Sequence, residues 1–159
     1  MSRYYGDPGD PTVIKVDQAF PPKSSAYEVG FPVVLKIPLD ALAAANDIVS
    51  IENPFGVETV IIEATVHVKV AGGSSSAVLD VDIVANSTAT GDDIFDGVDA
   101  NAEGIVSMVE AGAGSNAEHT GQIWNKAGGT NDFVNTKLLV ANAANLEADL
   151  YLVCMPCNK

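Results

Sequence analysis

From Val57 to Val70 the chain reads V-E-T-V-I-I-E-A-T-V-H-V-K-V. Apolar and polar residues alternate, and a period of two marks a half-buried β-strand. The alternation predicts Val60, Ile62, Ala64, Val66, Val68 and Val70 on one face, and Glu63, Thr65, His67 and Lys69 on the other. His67 needs no chemistry in this reading, because it shares the polar face with Lys69. Gly72–Ser76 then has the length of a hairpin turn. In the next strand, Leu79, Val81, Ile83 and Ala85 point inward, and Asp80 and Asp82 point outward.

The same pattern predicts strands at Val33–Ile37, Ile48–Glu52, Ile105–Glu110, Val134–Val140 and Ala148–Met155. In the last, Ala148, Leu150, Leu152 and Cys154 alternate with Asp149, Tyr151, Val153 and Met155. Pro38–Asn46 reads as one short helix, with proline at its start and asparagine at its end. A helical turn is expected near Asp92–Val98. About seven strands joined by Gly, Ser and Asn turns predict an all-β fold, an antiparallel β-sandwich. Uneven strands and long loops favour a jelly-roll version.

A chain of 159 residues is about one domain and can bury a core without staples. Its first part differs from the rest. Residues 1–36 hold four basic residues (Arg3, Lys15, Lys23, Lys36) and four acidic ones (Asp7, Asp10, Asp17, Glu28). The formal charge of −13 therefore belongs to residues 37–159. Between Val70 and Asn125 there are nine acids and no Lys or Arg. Six of the eight prolines lie in residues 1–38, which disfavours helix and central strand. Five of the ten aromatics lie there too: Tyr4, Tyr5, Phe20, Tyr27 and Phe31. Disordered linkers are normally poor in aromatics. Residues 1–32 are thus expected to form an extended arm that lies on another protein surface, and residues 33–159 the sandwich.

The acidic balance argues against nucleic acid, whose phosphates require clustered Lys and Arg. It argues equally against an anionic membrane. No apolar run is long enough to span a bilayer. Residues 1–5 lack a signal-peptide stretch, so folding in a reducing cytosol is expected. Cys154 and Cys157, the two cysteines, support no disulfide framework. Their C-x-x-C lacks the helix that a redox site uses. Zinc would need two further ligands, and His67 and His119 lie at no ligand spacing.

The densest acidic stretch is Asp92 to Glu103. Aligned as a calcium loop on Gly97, it puts Ile94 where an oxygen ligand is required, so it fails as an EF-hand. Asp92, Asp93, Asp96 and Asp99 remain a looser calcium candidate, against a solvated loop of Asx-turns. No nucleophile elbow or phosphate loop is present, so no catalysis and no cofactor are expected.

The stretch Ile51-Glu52-Asn53-Pro54-Phe55-Gly56-Val57, leading into the long strand, resembles a pattern in small virion proteins of tailed bacteriophages. There an NPFG turn precedes a long strand, a small-residue hairpin, another strand and an acidic D-x-x-x-D-G-x-D segment. The resemblance covers roughly residues 50–155 and leaves out the arm. It implies a head decoration (cement) or minor capsid protein, on the capsid surface of the virion. It implies as partners the major capsid protein and sister subunits, often as trimers at three-fold positions. Asn53–Gly56 would be a structural turn. The competing expectation is a tail, fibre or adsorption module that binds carbohydrate or calcium.

Overall fold

The computed structural model describes residues 28–29, 31–72, 77–91, 93–108, 122–140 and 145–158. Among them are ten strands and no helix. The strands are β1 (Glu28–Val29), β2 (Val33–Pro38), β3 (Ile48–Glu52), β4 (Thr59–Val70) and β5 (Val78–Val84). They continue with β6 (Phe95–Asp99), β7 (Gly104–Ser107), β8 (Gln122–Trp124), β9 (Phe133–Val140) and β10 (Glu147–Asn158). All pairs are antiparallel. The larger sheet runs β1-β10-β4-β7, with β2 also on β10 and β8 also on β4. The smaller runs β3-β9-β5-β6.

The inner faces share one apolar core. Ala64, Val66, Leu150 and Leu152 of the larger sheet join Leu79, Val81, Val134 and Leu138 of the smaller. The chain is thus an all-β sandwich. Six of the seven expected strands appear as β2, β3, β4, β5, β9 and β10, and the seventh as the shorter β7.

The long strand departs from its expected phase. Ala64, Val66 and Val68 point inward, but so do Thr59 and Ile61, while Ile62 is 39% exposed. On β10, Val153 faces Glu63 and Cys154 faces Ile61, so Ile62 is the extra residue of a β-bulge. Two adjacent isoleucines hide this switch from the alternation. Val60 and Ile62 therefore belong to the outer face, not to the face of Ala64.

Pro38–Asn46 forms turns, not a helix. The Leu39 N–H donates to the Ala148 carbonyl (2.8 Å), which carries the ladder past the end of β2. Asp47 Oδ2 then accepts from the Ala43 and Ala44 amides (2.9 and 2.7 Å). Asn46 sits at φ 74°. Leu39 and Leu42 have the spacing of a helix face, yet turns suffice to bury both completely.

The helical turn expected near Asp92–Val98 is instead β6. Val81 faces Phe95 and Leu79 faces Val98, so Asp96 and Gly97 together oppose Asp80. Gly97 sits at φ 80°, which glycine adopts without strain. Its N–H donates to Asp80 Oδ1 (2.9 Å).

The NPFG corner is structural. Asn53 Nδ2 donates to the carbonyls of Val57 (3.0 Å), Trp124 (3.0 Å) and Asn125 (2.9 Å). Asn53 Oδ1 accepts from the Phe55 amide (2.8 Å). Phe55 meets Trp124 edge to face, with 6.4 Å between ring centroids. Trp124 is fully buried, and its indole N–H donates to the Asp132 carbonyl (2.7 Å). A buried tryptophan requires such a partner.

Candidate protein-contact face

Alternation along each strand of the larger sheet sends every second side chain outward. Register then sets which of these lie side by side. Val34 faces Val153 across β2 and β10. In the next row Met155 faces Val60, and Val60 faces Ile123 of β8. The bulge adds Ile62 to the same side. The result is an apolar stripe across four strands, bordered on β4 by Glu63, which faces Val153.

The stripe is open to solvent at its ends, where Val34 is 62% and Ile123 59% exposed. Ile105 of β7, in register with His67, is 65% exposed. The exposed large hydrophobic residues among the described ones are Phe31, Val34, Ile62, Val70, Ile105 and Ile123. All of them lie on this sheet, or in Phe31's case just before it. Scattered apolar residues mean little, but a set gathered on one sheet is a candidate contact surface.

Charge is sorted in the same sense. On the outer side of the larger sheet, Lys36 and Lys69 offset part of the charge of Glu63, Asp149, Glu147 and Asp40, the last with its Oδ1 4.0 Å from Lys69 Nζ. Asp149 is 2% exposed, with Lys36 Nζ at 3.0 Å and Lys69 Nζ at 3.4 Å. The Tyr151 hydroxyl donates to the same oxygen (3.3 Å). Burial pushes the Asp149 carboxyl up, but the hydrogen bonds and charges of Lys36 and then Lys69 outweigh it. Its pKa lies below the usual carboxylate value.

The smaller sheet is the opposite. Asp80 and Asp82 of β5 and Glu52 of β3 point outward there, beside Asp93, Asp96 and Asp99, with Lys137 as counter-charge. Asp82 is buried, and its Oδ1 accepts from the Ile83 (2.7 Å) and Asp93 (3.2 Å) amides. Burial raises its pKa to about 6, and the neighbouring Asp93 charge adds to the rise. One broad side of the sandwich is thus more apolar and carries two lysines, and the other is more acidic.

The residues singled out in the sequence fall in different places. Of the arm aromatics, Phe31 is 84% exposed, and Tyr4, Tyr5, Phe20 and Tyr27 lie outside the described residues. Of the calcium candidates, Asp92 lies outside them as well. Asp99 Oδ1 accepts from the backbone and side-chain amides of Asn101 (both 2.8 Å), the Asx-turn expected for a loop. Among the described residues no three His, Cys, Asp or Glu side chains are placed to hold a metal ion. His119 and most of the Gly72–Ser76 turn are also outside the described residues. Cys154 is buried in the core, and burial pushes its thiol up to about 12. Cys157 is half-buried.

The contact face was missed in the sequence because its members come from four separate strands. Only pairing register assembles them. Ile123 lies in a three-residue strand too short to show a period.

No family model matches the sequence, and no curated protein matches it. Among solved structures, a chain from the capsid of Ralstonia phage GP4 has the same fold, with a TM-score of 0.58. It is 19% identical, and the match covers 88% of this chain and 92% of that one.

Proposed function

We propose that this chain is a structural protein of a bacteriophage virion, a decoration or minor capsid protein, and not an enzyme. The observation that carries this is the fold likeness to a phage capsid chain over nearly the whole of both molecules. The strand order supports it. β2-β10-β4-β7 facing β3-β9-β5-β6 is how eight strands are ordered in a jelly roll, an architecture used by viral capsid domains. The NPFG resemblance points the same way.

The division of the surface fits a protein that coats a shell. A more apolar side suits contact with other protein, and a more acidic side keeps many copies soluble and apart. Capsid and sister subunits are then the partners, with three copies grouped at three-fold positions of the lattice. The N-terminal arm, neutral and aromatic, adds to the grip.

Mixing the full chain with empty phage shells and counting bound copies tests the proposal. Saturable binding at a fixed number of copies per shell is the expected result. Replacing Ile123 and Val34 by Asp should lower the count. Replacing Tyr4, Tyr5, Phe20 and Tyr27 together by Ser should lower it as well. Absence of binding by the unmodified chain to shells of its own virus would overturn the reading.

A further inference from the structure

In the apolar stripe, Val34, Ile62 and Ile123 are exposed, and Val60, Val153 and Met155 are half-buried. The stripe's occupant can be argued from the chain that lies outside the described residues. Residues 1–27 carry three basic and three acidic residues, four aromatics and four prolines. They match the stripe in being neutral and apolar, and they mismatch the acidic side of the sandwich. Proline restricts the unbound chain, so fixing it in an extended form costs less entropy.

The point of departure bears on whose stripe is reached. β1 runs antiparallel to β10, with Val29 opposite Cys157 and Glu28 opposite Asn158. Going from Val29 to Glu28, the chain moves outward along β10, away from Val153 and Met155. At Glu28 it points past the end of its own sheet. Twenty-seven extended residues can span up to about 90 Å, enough to reach a neighbouring molecule.

We infer that residues 1–27 of one copy seat their aromatic side chains on the outer stripe of a second copy. The stripe is then half of a site, and the neighbour's Tyr4, Tyr5, Phe20 and Tyr27 are the other half. The inference deepens the structural reading above and rests on it for a supply of sister copies. Its test is separate from shell binding.

Full-length chains carrying Cys157→Ser are prepared in two forms, one with Tyr5→Cys or Phe20→Cys, the other with Ile123→Cys. Mixed in solution and oxidised, they should form a disulfide-linked pair of unlike chains. Val153→Asp in the Ile123→Cys chain should lower the yield by about tenfold or more, since it puts a charge under an apolar contact. Circular dichroism and thermal melting confirm that each variant is folded. A chain carrying both new cysteines that links only to itself would assign the arm to its own body and overturn the inference. So would the absence of any link between folded chains. If shells still bind the protein in either case, the virion role survives and only the arm exchange fails.

Discussion

The Lys36 ammonium lies 3.0 Å from the Asp149 carboxylate, although Lys36 is in register with Tyr151 and not with Asp149. The contact is diagonal across the ladder. It passes beside the Tyr151 ring, whose centroid is 6.0 Å from Lys36 Nζ. Lys69 reaches the same carboxylate from the other side, at a second register shift in the β4–β10 pair. Two lysines thereby allow a carboxylate to be buried on a face that is otherwise open.

Asp149→Asn should lower stability at pH 7 by about 1–3 kcal/mol, the cost of losing charged hydrogen bonds at a buried group. The folded pKa of Asp149 is below its ordinary 3.8, so its contribution is present above that value and is lost as pH falls below it. Urea midpoints of the two proteins should therefore differ at pH 7 and converge in strong acid.

Asp82 works in the opposite direction. Its folded pKa of about 6 lies above the ordinary 3.8, so the folded state holds the proton more tightly. That part of stability is complete below 3.8 and is lost as pH rises through about 6. Thermal melting should show stability rising from pH 8 towards pH 5. Asp82→Asn keeps the oxygen that accepts from Ile83 and Asp93, and it should flatten the rise.

The bulge in β4 reverses which of two neighbouring isoleucines is buried. Ile61→Ala opens a cavity in the core and should cost about 2–4 kcal/mol. Ile62→Ala trims an outward side chain and should cost less than about 1 kcal/mol. A larger cost at Ile62 than at Ile61 in chemical denaturation would mean that the strand has no change of phase.

The two cysteines should separate under a thiol reagent at pH 8. Cys157 should label in the native protein. Cys154 is buried, with its thiol pushed up to about 12, and should label only on unfolding. Mass spectrometry of native and denatured samples reads both.

Asn53→Ala removes a donor shared by three carbonyls and the acceptor for the Phe55 amide. Those backbone groups lose their partners, and a loss of about 2–4 kcal/mol is expected. Asn53→Asp should be worse, because it sets a carboxylate against carbonyl oxygens. Denaturant titration followed by Trp124 fluorescence measures both.

Alternation was enough to find the long strands, because β4 and β10 bury one side chain in two over several residues, and the apolar Leu79, Val81 and Ile83 of β5 and Val134 and Leu138 of β9 keep that spacing. It failed where a turn or bulge interrupts that rhythm. Gly97 and the two aspartates around it read as a loop, yet glycine's positive φ is what lets β6 keep its pairing with β5. Leu39 and Leu42 imitate a helix because a turn can also return every third side chain to the core. The contact face was illegible for another reason. Val34, Val60, Ile123 and Val153 are far apart in sequence, and each alone is an ordinary surface valine or isoleucine.

The extra residue at Ile62 has a consequence for how this chain tolerates change in length. β4 behaves as two half-strands spliced out of step, each with its own sense of inside and outside. Deleting Ile62 would set Ile61 beside Glu63 and restore plain alternation, with Thr59, Ile61, Ala64, Val66 and Val68 still on one face. Deleting Thr65 instead, inside the regular run, would turn one half over and take either Ala64 or Val66 and Val68 out of the core. Loss of one residue should therefore be tolerated at Ile62 and be damaging two or three positions further on.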